Sequence, residues 1–92
     1  MNQLIIIFEF KEQDSNRTIE LKNRIRKYKS FAFLTNNSCA IWTDKTASNV
    51  RDYLKSGLRS GDKLFVSSIS APAAWLTSIS QEVTDYIHKN LK

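Results

Sequence analysis

The sequence has few of the residues that build disulfide frameworks, loops and metal centres. Its 92 residues include one cysteine, one histidine, one proline and two glycines. A single cysteine excludes an intrachain disulfide, so we predict a reducing, cytoplasmic environment in which Cys39 is a small buried hydrophobic residue. The scarcity of proline and glycine argues against a low-complexity or linker-rich chain. The composition therefore predicts one domain over residues 1–92.

Familiar catalytic and targeting signatures are also absent from the sequence. It has no glycine-rich phosphate loop, no paired metal-ligand spacing and no nucleophile elbow. The lone histidine, His88, follows Ile87 in a C-terminal helical pattern, and we interpret it as a solvated helix residue. The apolar run at residues 4–8 is too short to span a bilayer and lacks the flanks of a signal peptide. We therefore expect no membrane association.

Positive charge is the main compositional bias. Fourteen lysines and arginines against nine aspartates and glutamates give a formal net charge of +5. This charge favours polyanions such as DNA or RNA, although a net charge of about 2 to 8 in magnitude is also common for solubility alone. Six basic residues are concentrated in one short segment: Arg17, Lys22, Arg24, Arg26, Lys27 and Lys29. We predict that they contact nucleic-acid backbone; a solvated helix face is the alternative.

The spacing of these residues divides them between two flanks of a helix. Lys22, Arg26 and Lys29 recur at intervals of four and three, whereas Arg24 and Lys27 fall on the other flank. Phosphate contacts of this kind do not read sequence and weaken steeply with salt. The predicted binding is therefore electrostatic and nonspecific.

The first half of the hydrophobic pattern predicts a strand followed by a helix. Residues 4–10 are apolar at nearly every position, which is typical of a central strand covered on both faces. Leu21, Ile25 and Tyr28 then recur at helical spacing among charged residues. Three polar residues are candidate caps for this helix: Ser15, Asn16 and Thr18.

A hairpin and a second helix follow. Strands at 30–35 and 39–43 flank the polar turn 36–38, whose asparagines tolerate the left-handed conformations of a hairpin tip. Thr46 is the predicted cap of the second helix, and Gly57 is placed to end it.

The chain closes with a fourth strand at 63–70 and a last helix capped by Ser78 or Ser80. The predicted buried side of this helix comprises Val83, Tyr86, Ile87 and Leu91. The whole order predicts an α+β fold, a ferredoxin-like βαββαβ arrangement with an extra C-terminal helix and a four-stranded antiparallel sheet.

The stretch KSFAFLTN, residues 29–36, partly matches the RNA-contacting strand of an RNA-recognition motif. That motif occupies the third strand, in the middle of the sheet, whereas this stretch forms the second strand, which lies at an edge in a ferredoxin-like sheet. We therefore interpret Phe31 and Phe33 as core or interface residues, not as a platform for bases.

The first strand also indicates an interface. Leu4, Ile6 and Phe8 point to one face, and Ile5 and Ile7 to the other, so both sides of the sheet carry apolar residues. A second subunit is the simplest cover for the second face, and we predict a homodimer interface at Ile5 and Ile7. Folding back of the C-terminal helix is the alternative.

Several stretches in this order resemble one family, the small SinR-like bacterial proteins related to CRISPR-associated protein two. The resemblance implies a ferredoxin-like subunit that pairs as a homodimer through its sheet. A protein-interaction or regulatory role without nucleic acid, in phage defence or a mobile element, is a further alternative. The matching stretches are LIIIFEF, TDKTASNVRDYLK, SGDKLFVSSIS, APAAW and EVTDYIHKNL.

The resemblance also directs attention to Glu9. Family members with nuclease activity are thought to carry an aspartate at the end of the first strand, where two symmetry-related carboxylates hold a divalent metal. Glu9 stands there in this chain. The alternative function is therefore a Mg²⁺-dependent endonuclease with Glu9 as metal ligand and catalytic residue. Without the family, an exposed or ion-paired glutamate is the commoner interpretation.

Overall fold

The described residues form seven elements, with three helices and four strands. The computed structural model describes residues 1–12, 14–71 and 81–91. The predicted α+β class and four-stranded antiparallel sheet are confirmed. The elements are β1 (Asn2–Glu9), α1 (Ser15–Ile25), β2 (Ser30–Thr35), β3 (Ser38–Thr43), α2 (Ala47–Lys55), β4 (Lys63–Ser68) and α3 (Gln81–Asn90).

The sheet has the strand order β2-β3-β1-β4. β1 lies in the interior of the sheet, with Ile6 opposite Cys39 of β3 and Val66 of β4. The prediction of a central first strand is therefore confirmed. β2 lies at one edge and β4 at the other, so β2 has one neighbour in the sheet.

The main core lies between the sheet and the first two helices. Leu4, Ile6 and Phe8 of β1 are at most 1% exposed. They pack with the apolar stripes of the two helices, which comprise Leu21 and Ile25 of α1 and Val50 and Leu54 of α2. Burying one such side chain stabilises the fold by about 1.5–3 kcal/mol.

The opposite face of the sheet is covered only in part within the described residues. Helix α3 packs on the β2–β3 half, where Ala32, Ala40 and Trp42 are buried. The β1–β4 half is open, and Ile7 is 44% and Phe65 59% exposed. At Ile7 the described residues of one chain do not cover this face of the first strand, so cover on both faces stays a prediction that depends on a second subunit.

The sequence predicted the N-cap residue of α2 correctly but not that of α1. Thr46 caps α2 as predicted, and Asn49 completes a reciprocal capping box with it. The cap of α1 is Asp14, whose carboxylate accepts hydrogen bonds from the backbone N–H groups of Asn16 and Arg17. Asp14 was missed because Ser15 and the nearby polar residues gave competing cap signals. Ser78 and Ser80, the predicted caps of α3, lie outside the described residues.

Backbone conformation in the turns differs from expectation at the hairpin. Asn36 and Asn37 form the turn between β2 and β3, but no described non-glycine residue has a positive φ. A register shift between Phe33 and Thr35 accompanies this turn. The positive φ occurs in another turn, the one before β4, where Gly61 has a φ of 91°.

Among the described residues, no helix has the length and apolar character needed to cross a bilayer.

Candidate nucleic-acid interface

Arg17 is directed into the structure. Its guanidinium forms an ion pair with Asp62, with the two side chains 10% and 2% exposed. It also lies over the ring of Phe10, 4.7 Å from the ring centroid. Asp62 accepts further hydrogen bonds from the backbone N–H groups of Lys11 and Arg59, at 2.9 and 2.7 Å. Arg17 thus helps to join α1 to the loops that flank β1 and β4.

The Asp62 carboxyl should produce a measurable acid dependence of stability. Hydrogen bonds from the N–H groups of Arg59 and Lys11, together with the Arg17 guanidinium, lower the pKa of Asp62 from 3.8 to about 2. Because the folded-state pKa is the lower one, Asp62 stabilises the fold fully above pH 3.8, and this stabilisation is lost as pH falls through 2. We expect Asp62→Asn to lower the thermal midpoint at pH 7 and to lessen its decline between pH 4 and 2.

Thermal unfolding of both proteins at several pH values, followed by circular dichroism, checks this expectation. Asp85→Asn removes an exposed carboxylate on α3 and is the matched control, which should follow the wild-type curve. Parallel acid profiles for wild type and Asp62→Asn would contradict the assigned role of Asp62.

Arg24 also makes contacts within the fold. Its guanidinium donates hydrogen bonds to the backbone oxygen of Tyr53 and to the hydroxyl of Ser56, at the end of α2. It forms an additional ion pair of 3.6 Å with Glu20, one turn earlier on α1. Arg24 therefore connects α1 to α2, and its side chain is 27% exposed.

Lys22 and Arg26 lie together over β2, as their spacing predicts. The Lys22 ammonium is 5.6 Å and the Arg26 guanidinium 5.1 Å from the centroid of the Phe33 ring. Phe33 packs in turn against Phe31, with ring centroids 5.8 Å apart, and both rings contact the main core. Both phenylalanines are partly buried against the core, in agreement with their interpretation as core or interface residues. Within the described residues, neither cation forms an ion pair.

The other flank of α1 leads to a second basic surface. Lys27, Tyr28, Lys45, Asn49 and Tyr53 line a groove of about 400 Å³, which we call the tyrosine groove. The two tyrosine rings meet edge to face, with centroids 6.0 Å apart. Burial, with a smaller contribution from Tyr53, raises the pKa of the Tyr28 hydroxyl, which therefore stays protonated at neutral pH. The sixth predicted residue, Lys29, is exposed in the loop beyond α1.

Glu9 lies at the end of β1, exposed and opposite Lys63 of β4. It lines a groove of about 410 Å³ with Asp14 and Lys22, among other residues. Within residues 1–12, 14–71 and 81–91, no group of three or more histidine, cysteine, aspartate or glutamate side chains could hold a metal ion. Mg²⁺ is usually anchored by one or two carboxylates and completes its octahedral shell with water, so the predicted metal role of Glu9 depends on the carboxylate of a second copy.

Ile5 and Ile7 lie on the open half of the sheet, together with a residue that the sequence did not single out. Ile7 is directly opposite Phe65 of β4, and both side chains are largely exposed. We call Ile5, Ile7 and Phe65 the open apolar strip. Its charged end is formed by Glu9 and Lys63, which are opposite each other in the register.

The sequence missed the groove residues Lys45 and Tyr53 for a physical reason. They precede and follow the start of α2, whereas Lys27 and Tyr28 follow α1, and only the packing of the two helices brings them together. Helical spacing on α2 could have indicated that Tyr53 lies away from the Val50–Leu54 stripe.

Comparison with known proteins assigns no family to this chain. No family model matches it, and no curated protein or solved structure matches it.

Proposed function

We propose that this protein is a non-catalytic nucleic-acid-binding module that contacts phosphate backbone without reading sequence. The observation that carries the proposal is the pair of cations, Lys22 and Arg26, on the surface formed by α1 and β2. Neither is ion-paired to a carboxylate among the described residues, unlike Arg17 and Arg24. Arg26 donates one hydrogen bond to the neutral side-chain oxygen of Asn23, at 2.9 Å, so the charge of both residues is left for an external anion. Binding of phosphates by such residues is favoured by release of counterions.

The proposed interface is narrower than the six-residue segment. Arg17 is mostly buried with Asp62 and is assigned a role in folding, and Arg24 is assigned the connection between the two helices. The proposed backbone contacts are therefore Lys22 and Arg26 on one flank and Lys27 and Lys29 in the segment that follows α1. Phe33 orients the first pair, because cations are attracted to the face of an aromatic ring.

The proposal includes a ferredoxin-like fold and a homodimer, in keeping with the resemblance to the SinR-like family. Support for the fold comes from the strand order β2-β3-β1-β4, with α1 and α2 packed on one face. Support for the dimer comes from the open apolar strip. A second copy related by a twofold axis would cover the strip and could pair Glu9 of each copy with Lys63 of the other.

Fluorescence anisotropy with labelled duplex DNA, single-stranded DNA and RNA tests the binding proposal. We expect Lys22→Gln/Arg26→Gln to weaken binding about tenfold and to reduce the slope of log affinity against log salt by about 2. The control is Lys55→Gln/Lys89→Gln, which removes the same charge from exposed positions on α2 and α3. It should retain wild-type affinity within a factor of about two if binding is local to the α1–β2 surface.

Two results would overturn the proposal. Absence of wild-type binding at 20 mM salt would leave a protein-interaction module. Equal weakening by both double variants would show attraction to net charge instead of a defined interface. Each assay is repeated with Mg²⁺, and the oligonucleotides are then examined for cleavage. We expect them to stay intact; cleavage that Glu9→Ala abolishes would establish the endonuclease alternative.

A further inference from the structure

We infer that the tyrosine groove is a binding site for an unpaired base and its adjoining phosphates, so that single strands are preferred over duplex. This inference rests on the proposed function and names the form of nucleic acid that the protein binds. It is drawn from the shape, the rings and the charges of the groove formed by Lys27, Tyr28, Lys45, Asn49 and Tyr53.

The shape of the groove fits a flat ring. The planes of Tyr28 and Tyr53 are at 89° to each other, so the two rings form perpendicular walls of one corner. A base that enters this corner can stack on the face of one ring while its edge meets the other. Tyr53 is 39% exposed, which leaves apolar ring surface open to a ligand. Base–aromatic stacking depends little on base identity, in agreement with nonspecific binding.

The two lysines at the rim of the tyrosine groove favour an anionic ligand. Lys27 and Lys45 are both exposed, and within the described residues neither forms an ion pair. They approach the groove from different segments, the turn after α1 and the loop before α2. Two cations beside an aromatic corner match the alternation of phosphate and base along a single strand. In a duplex the bases are stacked inside the helix and cannot enter the corner.

The groove is held in place by contacts that do not occupy it. The Arg24 guanidinium binds the backbone oxygen of Tyr53, and the side-chain oxygen of Asn49 accepts hydrogen bonds from Thr46 in the capping box. These contacts hold the Tyr53 backbone and the Asn49 side chain, and the edge-to-face contact of the two tyrosine rings limits the motion of the rings themselves. A preformed site loses less conformational entropy on binding.

The test is anisotropy of a labelled oligothymidylate, an oligouridylate and a duplex of equal length, at low salt. We expect Tyr53→Leu to weaken binding of both single strands about tenfold and to leave duplex affinity unchanged, because leucine keeps apolar bulk but cannot stack. Lys45→Gln should weaken single-strand binding several-fold, whereas Lys89→Gln, an equal loss of charge on α3, should not. Thermal unfolding of each variant verifies the fold, and Lys45→Gln gives an independent readout if Tyr53→Leu is unstable.

The outcomes separate this inference from the proposed function. Wild-type binding that neither Tyr53→Leu nor Lys45→Gln weakens would overturn the groove and leave the backbone-binding module standing. Equal weakening of single strands and duplex by Tyr53→Leu would also overturn it. Absence of all wild-type binding would overturn both proposals. Comparison of the two single strands then shows whether DNA or RNA is bound more tightly.

Discussion

Replacement of Trp42 by alanine should lower the free energy of unfolding by about 3–5 kcal/mol. The indole is 8% exposed and lies between β3 and α3. Its N–H donates to the side-chain oxygen of Gln3 and to the backbone oxygen of Asn90, at 3.2 and 3.1 Å, and its ring is 5.4 Å from that of Tyr86. A typical domain is stable by about 5–15 kcal/mol, so this loss is a large share of the total.

Urea unfolding of Trp42→Ala, followed by far-ultraviolet circular dichroism, measures the expected change. Hydrogen exchange should show a greater loss of protection in α3 than in β1, because β1 also belongs to the separate core beneath α1 and α2. Tyr86→Phe is the matched control. It removes the contact between the Tyr86 and Ser30 hydroxyls while keeping the ring, and should cost about 1 kcal/mol. A loss below 1 kcal/mol for Trp42→Ala would contradict the role of Trp42 as the anchor of α3.

Local sequence signals predicted the elements well because each is determined by nearby residues. The apolar run of β1, the stripe of Val50 and Leu54 and the Thr46 cap are all confirmed by the structure. The position of α3 could not be predicted in the same way. Its docking depends on Trp42 and Ala40, about 45 residues earlier in the sequence. The pattern favoured a second subunit as the cover and kept a folded-back helix as the alternative.

The candidate site was predicted in part, for similar reasons. Helical spacing placed Lys22 and Arg26 on one flank, and the structure shows them over the same ring. Spacing cannot reveal that Arg17 is paired with Asp62, because 45 residues separate them and the sequence around Asp62 indicates only a turn. Basic residues count as candidates for ligand binding only after such internal partners have been found.

Charge in the open apolar strip should dissociate the proposed homodimer. We expect Phe65→Glu to raise the dimer dissociation constant about 1,000-fold. A central interface residue contributes about 2 kcal/mol or more, and a twofold axis places each substitution in the interface twice, which gives about 4 kcal/mol. Phe65 is 59% exposed, so its replacement should change the stability of one chain by only about 0.5 kcal/mol. Light scattering over a range of concentrations measures the change.

The matched control for the strip is Ile19→Glu. Ile19 is exposed to a similar extent, at 55%, but lies on α1, and its replacement changes the net charge by the same amount. A dimer that survives Ile19→Glu and dissociates with Phe65→Glu would locate the interface on the open half of the sheet. A dimer that survives both would exclude the strip, and a wild-type monomer at high concentration would exclude the homodimer. The reciprocal contact is tested by mixing Lys63→Glu chains with Glu9→Lys chains, because Glu9 and Lys63 are also neighbours within one sheet. The mixture should form heterodimers in preference to either homodimer if the two residues meet across the axis.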